Sequence, residues 1–325
     1  MTMFYEKLLE VSDSSHVKTE EKMSRHTTFR AGGPAAYYVS PADARELGEV
    51  IRLCRREEVP YCILGNGSNL LVGDGGFDGV VISMTAGFSG CRVDSDRCEI
   101  AAGAGASLSR VGKAALEAGL TGFEFAAGIP GTVGGAVVMN AGAYGSETKD
   151  ILESVRVMTM EGEEKVLSLP ELELGYRTSC IPANHYIVLE ARYRLKPGDR
   201  DEIKAYMDDL AGRRKSRQPL EFPSAGSTFK RPAGNFAGKL IEEAGLAGYR
   251  VGGAEVSGKH CGFVINRDHA TASDIMTLCQ DVKRRVKEHS GVELEMEVKT
   301  LGRFYNGVEE TFCETGNCDR HVRRR

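Results

Sequence analysis

The sequence predicts a protein of more than one α+β or α/β unit, and three observations support this. The chain has 325 residues, which exceeds one ordinary domain. Short apolar runs that are typical of buried strands alternate with segments whose apolar residues recur at helical spacing. Glycine accounts for 39 of the 325 residues, well above the roughly 23 that the usual share of about 7% would give. The glycines therefore indicate tight turns or backbone that lies against a ligand.

The first unit is predicted from one helix and the strands around it. The segment SPAD indicates a helix start, with Ser40 as N-cap and Pro41 as the first helical residue. Two apolar runs after this helix are typical of strands, YCIL at 61–64 and VVISM at 80–84. Residues 1–24 are interpreted as a short amphipathic segment followed by a charged linker, VKTEEK.

From about Ser89 the alternation of strand and helix restarts. Ser107 is placed to cap a helix that follows a strand, and a long polar helix at 199–218 can bridge to a further unit. Between them we expect three strands, at 151–160, 165–169 and 186–195. The last unit begins near Pro219, and its helices and strands are expected at 236–245, 263–266, 274–288 and 292–302.

Composition and charge argue against several classes of protein. With 42 Lys and Arg against 46 Asp and Glu, the net charge of −4 argues against a nucleic-acid partner. The uncharged run 125–146 contains Pro130 and several glycines, so we expect no membrane insertion. Nine scattered cysteines and a start without signal-peptide features indicate reduced thiols in the cytoplasm. Cys313 and Cys318 lack the spacing of a zinc site, and no motif indicates a metal.

The first glycine-rich segment follows a predicted strand and begins like a dinucleotide fingerprint. Leu70 stands where the third glycine belongs and no helix follows, so the fingerprint fails. Glycines flanked by Asn and Ser still allow several backbone N–H groups to point into one concavity, which suits a phosphate. Taken alone, the segment has a sharp structural turn as its alternative. Its residues are Gly65, Asn66, Gly67, Ser68 and Asn69.

A second, denser glycine-rich segment follows the helix that Ser107 is expected to cap. A Pro-Gly pair predicts a turn, and a Gly-Gly pair removes side chains where another surface must approach. Two such segments in adjoining units suggest one extended, phosphate-bearing ligand held between them. The residues of the second segment are Gly128, Ile129, Pro130, Gly131, Thr132, Gly134 and Gly135.

The candidate catalytic residues are individually weak. Arg177 lies in a short loop before a predicted strand, and Ser227 lies in a turn of small residues beside Lys230 and Arg231. Period-two alternation places Glu297 and two further glutamates on one face of the last predicted strand. Three like charges in a row repel one another, which suggests that at least one has a partner. The alternatives are a surface arginine, a structural turn and a solvated strand face.

Several segments, taken in their order along the chain, resemble one family: UDP-N-acetylenolpyruvoylglucosamine reductase (MurB). The resemblance covers roughly residues 23 to 305 and depends on joint order and spacing. The segments are MSRHTTFRAGGPA, ILGNGSNLLV, GIPGTVGGAVVMNAGAYG, GYRTS, SAGSTFKRPAGNFAGKLIEEAGL, VSGKHCGFVIN and GVELEMEVKTLG. A strand follows Arg177 within ten residues, so the chain resembles the second type of the family, which lacks an extra Tyr-bearing loop.

The resemblance implies an α+β fold with an FAD-binding unit of the vanillyl-alcohol-oxidase (PCMH) type and a substrate-binding domain. The FAD-binding unit would consist of subdomains at about 25–88 and 89–202, and the substrate domain would occupy 203–305. Residues 1–24 and 306–325 would be an N-terminal segment and a tail. FAD would be bound non-covalently by the two glycine-rich segments, with NADPH as co-substrate. The reaction would convert UDP-N-acetylglucosamine-enolpyruvate to UDP-N-acetylmuramate in cytoplasmic peptidoglycan synthesis.

The resemblance also implies roles for particular residues. The catalytic Arg, the proton-donating Ser and the catalytic Glu of the family fall on Arg177, Ser227 and Glu297. Arg177, Lys230 and Arg231 are expected to bind the substrate. Many members have Asn where this chain has Arg231, so this residue would bind the substrate differently.

Two other functions are compatible with parts of the sequence. The first is an FAD-dependent alcohol oxidase on the same flavin fold, against which the segment 219–300 argues. The second is a non-catalytic regulator that binds a sugar nucleotide or a flavin. The presence of Arg177, Ser227 and Glu297 argues against a regulator, which would be free to lose them.

Overall fold

The computed structural model describes residues 3–305, so Cys313, Cys318 and the basic end of the chain lie outside the described residues. Its helices, in chain order, are α1 (Met3–Val11), α2 (Ala44–Arg56), α3 (Leu108–Glu117), α4 (Glu124–Ala127), α5 (Val133–Val138), α6 (Cys180–Ala183), α7 (Arg200–Arg217), α8 (Ala237–Glu243) and α9 (Ala272–Ser290). Its strands are β1 (Val17–Lys22), β2 (Pro34–Val39), β3 (Tyr61–Leu64), β4 (Leu70–Val72), β5 (Phe77–Ser83), β6 (Cys91–Asp94), β7 (Glu99–Gly103), β8 (Leu120–Thr121), β9 (Gly142–Ala143), β10 (Ser146–Glu147), β11 (Leu152–Met158), β12 (Glu164–Ser168), β13 (Ile187–Arg194), β14 (Lys196–Pro197), β15 (Arg250–Val251), β16 (Ala254–Val256), β17 (Val264–Asn266) and β18 (Lys299–Leu301).

The first unit is a four-stranded sheet in the order β1-β2-β5-β3, covered by α2. The segment that the sequence suggested as a charged linker is strand β1, which pairs antiparallel with β2. It is a polar edge strand, so it lacks the apolar alternation by which a strand is recognised in a sequence. Helix α2 begins later than expected. Asp43, rather than Ser40, is the N-cap, because its carboxylate accepts the backbone N–H of Glu46 at 2.9 Å.

The second unit is a five-stranded antiparallel sheet in the order β12-β11-β13-β7-β6, with α3 and α5 packed against it and α4 packed against α3. The predicted cap of α3 is confirmed, since Ser107 Oγ accepts the N–H of Arg110 at 3.2 Å. The run 125–146, expected to be loop and turn, instead contains most of α4 and all of α5. No helix of residues 3–305 is both long and apolar enough to cross a bilayer.

In the third unit α9 packs against the sheet β15-β16-β17 and α8 packs against α9, around an apolar core of their own. The strand expected at 292–302 is reduced to β18. The residues before β18 instead run beside the turn that carries Ser227, and Phe229 and Met296 form an isolated bridge between the two segments. Leu294 and Val298 are buried while Glu293 and Glu295 are exposed, so the predicted alternation persists without a regular strand.

One strand pairing and several hydrogen bonds attach the third unit to the first. Strand β18 pairs parallel with β4. The two carboxylate oxygens of Asp74 accept the N–H groups of Ala272 and Ser273, each at 2.8 Å, and so cap α9 from the first unit. Asn266 Nδ2 donates to the carbonyl oxygen of Phe29 at 2.9 Å. These contacts fix the third unit relative to the first.

We expect Asp74→Ala to lower the free energy of unfolding by about 1 kcal/mol, the usual effect of losing a helix cap. Urea unfolding followed by circular dichroism measures this change. The exposed Asp96 provides the matched control, because Asp96→Ala removes the same carboxylate from a surface turn. Equal stability of the two variants would contradict the role of Asp74.

Candidate active site

Two adjoining clefts lie where the three units meet. The large cleft, of about 770 Å³, is lined by the segment 25–30, both glycine-rich segments and residues near the end of α7. The small cleft, of about 450 Å³, is lined by the loop of Arg177, the turn of Ser227, the start of α8 and residues 258–262. Gly226 lines the large cleft and Ser227 the small one, so a ligand in one cleft lies beside the other.

The two glycine-rich segments come together at the large cleft. Asn66 Nδ2 donates to the carbonyl oxygen of Pro130 at 3.4 Å. A Cβ atom on Gly65 would overlap the side chain of Thr132, so the close approach of the segments requires glycine there. Gly67 has φ +60°, and a Cβ atom there would overlap the carbonyl oxygen of His26. Both positions exclude larger residues for steric reasons.

The members of these segments differ in their exposure to the cleft. Gly65, Asn66, Gly128 and Pro130 line it. Backbone hydrogen bonds within residues 3–305 do not use the N–H groups of 65–68, 131 or 132 as donors. Other members already have internal partners: the N–H of Ile129 donates to Ala126 O and that of Gly134 to Ala104 O. The unused N–H groups are the ones that can bind an acceptor on a ligand.

Sequence reasoning missed Arg214, which lies near the end of α7 and lines the large cleft. Its Nη1 donates to the carbonyl oxygen of Gly128. Burial lowers the pKa of Arg214, and no carboxylate of residues 3–305 lies within ion-pairing distance of it. A run of basic residues near a helix end is usually a solvated face, so only the packing of α7 against the cleft identifies this cation.

The large cleft fits FAD. A dinucleotide cofactor carries two linked phosphates, which need N–H donors and positive charge in a partly desolvated site. The unused backbone N–H groups of the first glycine-rich segment supply the donors, and Arg214 supplies a cation without a competing carboxylate. The segment 25–30 adds polar and cationic side chains on another wall, which sequence reasoning did not assign to the site: Arg25, His26, Thr27, Thr28 and Arg30.

In the small cleft, the structure brings Arg177 and Glu297 together from 120 residues apart. Arg177 Nε donates to Glu297 Oε1 at 2.9 Å, and the two side chains are 20% and 15% exposed. Burial raises the pKa of Glu297, although the positive charges of Arg177 and Lys230 act in the opposite direction. The suggestion that one of the three glutamates has a partner is therefore correct for Glu297, and it holds for the other two as well: Glu293 pairs with Lys287 and Glu295 with Lys230.

The buried Thr228 sets the position of Ser227 relative to Glu297. The N–H of Glu297 donates to the Thr228 carbonyl oxygen at 2.9 Å, and Thr228 Oγ1 accepts the N–H of Val264 at 3.0 Å. Asn69, which we expected to bind the cofactor, donates through Nδ2 to the carbonyl oxygen of Glu297 at 3.1 Å. Ser227 is exposed to the small cleft, which Arg177 and Glu297 also line.

The other predicted substrate-binding residues lie on the same side of the small cleft. Lys230 pairs with the carboxylate of Glu295 and is close enough to Glu297 to act on its pKa. The guanidinium of Arg231 lies 3.9 Å from the ring centroid of Phe236, and its backbone N–H donates to the Tyr176 hydroxyl at 3.0 Å. Further lining residues that sequence reasoning did not place in the site are Tyr176, Phe236, Lys239, Glu242, Lys259 and His260.

Comparisons with known proteins identify both parts of the chain. Residues 35–168 match a family model described as an FAD binding domain. Residues 218–301 match the model described as the UDP-N-acetylenolpyruvoylglucosamine reductase C-terminal domain. The first matched region contains both glycine-rich segments. The second contains the turn of Ser227 and also Glu297.

Whole-chain relatives agree with the two models. The UDP-N-acetylenolpyruvoylglucosamine reductase of Agathobacter rectalis is 53% identical over 88% of this chain and 94% of its own length. That of Clostridioides difficile is 52% identical over 92% and 97%. The crystal structure of the Thermus caldophilus reductase (MurB) matches with a TM-score of 0.74 and 39% identity, covering 86% of this chain and 97% of that one. This chain therefore belongs to the UDP-N-acetylenolpyruvoylglucosamine reductase family, with the α+β, FAD-binding fold that its sequence predicted.

Proposed function

We infer that this chain reduces UDP-N-acetylglucosamine-enolpyruvate to UDP-N-acetylmuramate, with FAD as cofactor and NADPH as reductant, in peptidoglycan synthesis. The observation that carries this inference is the partly buried Arg177–Glu297 pair, which lies with Ser227 in a cleft beside the FAD-compatible one. FAD, when bound, supplies the hydride that NADPH provides. The residues of the chain supply binding, orientation and proton transfer.

Arg177 is the proposed binding residue for the substrate carboxylate. The substrate is an enol ether conjugated to a carboxylate, so reduction at its terminal carbon builds negative charge on the neighbouring carbon and on the carboxylate. A planar guanidinium stabilises that charge as it forms. Arg177 Nε is occupied by Glu297, whereas its Nη atoms donate to no group within residues 3–305. The Nη atoms are therefore available to the substrate.

Ser227 is the proposed proton donor to the neighbouring carbon. A serine hydroxyl is a weak acid, and nearby positive charge is needed for it to release a proton. Arg177 and Arg231 line the same cleft, and Lys230 is close enough to Glu297 to act on its pKa. Burial raises the pKa of Glu297, which favours its protonated form and supports a role as a second proton donor. Orienting the Ser227 hydroxyl is the alternative role for this carboxyl.

The cytoplasm is the proposed location, and a small-molecule substrate with NADPH the proposed set of partners, without nucleic acid. The cysteines of residues 3–305 are all free thiols, in keeping with a reducing compartment. The near balance of acidic and basic residues supports the absence of a nucleic-acid partner.

We expect Ser227→Ala to slow consumption of the enolpyruvyl substrate by at least about 100-fold, the lower range for losing a general acid. Bleaching of the bound flavin by NADPH should be almost unchanged, because it needs no proton donor to the substrate. Anaerobic stopped-flow absorbance separates the two half-reactions. Glu297→Gln should be similarly impaired, and the double variant should lose much less than the product of the two factors.

Glu293→Gln is the matched control for Glu297→Gln, because Glu293 lies in the same segment but is exposed and pairs with Lys287. It should react at the wild-type rate. Rapid substrate consumption by Ser227→Ala would mean that another group delivers the proton and would overturn this assignment.

For the cofactor, we expect Arg214→Ala to bind FAD at least about 10-fold more weakly, since a charge-assisted hydrogen bond contributes about 1.5–3 kcal/mol. The dissociation constant can be measured by flavin fluorescence after removal of the cofactor. Arg213→Ala is the control, because this neighbouring arginine is exposed and pairs with Asp209. Unchanged affinity in Arg214→Ala would remove this residue from the phosphate site.

The raised pKa of Glu297 predicts a pH-dependent effect on stability. A folded-state pKa above the unfolded value means that the contribution of this carboxyl to stability is present at low pH and is lost as pH rises through the folded pKa. Glu297→Gln stays neutral, so its Tm should rise relative to wild type as pH rises above the ordinary glutamate pKa of about 4.3. Glu293→Gln should show the opposite sign or no effect, because Lys287 lowers the pKa of Glu293. A relative Tm of Glu297→Gln that falls with pH would contradict the raised pKa.

A further inference from the structure

Asn140 is a completely buried polar residue whose side chain makes three hydrogen bonds. Its Nδ2 donates to Glu147 Oε2 and to the carbonyl oxygen of Gly175, both at 3.0 Å. Its Oδ1 accepts the N–H of Lys149 at 3.0 Å. The backbone of Asn140 has φ +40°, a region that asparagine tolerates better than most residues. A buried amide is costly when a partner is missing, so one with three partners fixes the groups that it contacts.

The Gly175 carbonyl belongs to the turn that presents Arg177. The N–H of Gly175 donates to Thr178 O at 3.1 Å and the N–H of Thr178 donates back to Gly175 O at 3.4 Å, which leaves Tyr176 and Arg177 at the tip. Arg177 itself has φ +54°, a strained conformation for a residue with a long side chain. Such a conformation persists only where surrounding contacts hold it, and Asn140 holds one end of the turn.

The other end of the turn is held by a separate contact. Ser179 Oγ donates to the carbonyl oxygen of Val138 at 2.8 Å. Val138 ends α5, the helix that begins in the second glycine-rich segment, and Asn140 follows two residues later. Both anchors therefore connect the Arg177 turn to the part of the chain that lines the large cleft.

Asn140 also controls a second carboxylate near Arg177. Glu147 is bound by Asn140 Nδ2 and by Lys149 Nζ, which lies 2.7 Å from its Oε2. Lys149 is the main cause of the lowered pKa of Glu147, and the charge of Arg177 contributes. The same amide of Asn140 therefore holds both the Glu147 carboxylate and the Gly175 carbonyl oxygen of the Arg177 turn.

We propose that Asn140 is a positioning residue for Arg177, holding the guanidinium where it meets the substrate carboxylate. This inference rests on the proposed role of Arg177 as the carboxylate-binding residue. An amide is required because the position needs two donors and one acceptor at once. Aspartate has the same shape but would turn both donor contacts into repulsion, from Glu147 and from the Gly175 carbonyl oxygen.

The test uses Asn140→Asp and Asn140→Gly in the flavin-loaded enzyme. Aspartate keeps the shape, and glycine accepts the positive φ, so at least one variant should fold even if the other does not. We expect reduction of the enolpyruvyl substrate to slow by about 10- to 100-fold, the usual range for misplacing a catalytic group by about 1 Å. Bleaching by NADPH should stay near the wild-type rate.

A binding measurement separates positioning from general damage. UDP-N-acetylmuramate carries the carboxylate and UDP-N-acetylglucosamine lacks it, so calorimetry with the two ligands reports how well Arg177 meets that group. In the Asn140 variants, the affinity for UDP-N-acetylmuramate divided by that for UDP-N-acetylglucosamine should fall towards the value measured for Arg177→Ala. In the Arg177→Ala background, Asn140→Asp should have little further effect on rate or ratio, because the two residues act as a unit.

Asn184→Asp is the matched control. Asn184 Nδ2 also donates to a backbone carbonyl, that of Cys180 at 2.9 Å, but on the exposed end of α6. It should change neither readout. A wild-type affinity ratio in both Asn140 variants, or losses that multiply in the Arg177→Ala background, would overturn the proposal. Failure of the proposed function would look different, because the wild-type enzyme itself would not reduce the enolpyruvyl substrate.

Discussion

The parallel pairing of β4 with β18 is the constraint on which the site depends. Strand β4 begins directly after the first glycine-rich segment, and β18 begins two residues after Glu297. The N–H of Lys299 donates to Asn69 O at 3.0 Å, and Asn69 Nδ2 donates to Glu297 O at 3.1 Å. The pairing therefore brings Glu297 to the end of the first glycine-rich segment, and the position of one cleft sets that of the other.

Each of the three units contributes polar groups to the two clefts. The first unit supplies backbone N–H donors, the second supplies Arg177 and the third supplies Ser227 and Glu297. Because Arg177 and Glu297 pair across a boundary between units, neither charge is left alone in a desolvated place. Arg214 is different, since it is partly buried and has no carboxylate partner within residues 3–305. An anionic ligand in the large cleft would balance its positive charge.

Two residues of the small cleft are held in unfavourable states. Burial raises the pKa of Glu297, and Arg177 has a positive φ. Strained backbone and desolvated charge persist only where neighbouring contacts over-determine them. The contacts of Thr228, Asn140 and Ser179 do this here. The stability of the scaffold thus permits an arrangement that an isolated loop would not keep.

Local pattern determined much of the fold. Helices α3, α7 and α9 and strands β3, β7, β11 and β13 lie close to where apolar spacing and caps predicted them, because those signals act within a few residues. The glycine-rich segments were recognisable for the same reason, and Gly65 and Gly67 prove to be sterically required. The resemblance of ordered motifs to one family indicated Arg177, Ser227 and Glu297 before any geometry was known.

Only the tertiary structure decided how these parts meet. The strand at 17–22 forms because β2 lies beside it, and the last strand shortens because residues near Glu297 run beside the turn of Ser227 instead. The side chain of Asn69 contacts the backbone of Glu297, and Arg214 and Asn140 acquire their surroundings from elements far away in sequence. Hydrogen bonds and desolvation depend on distance in space, and a sequence pattern records only distance along the chain.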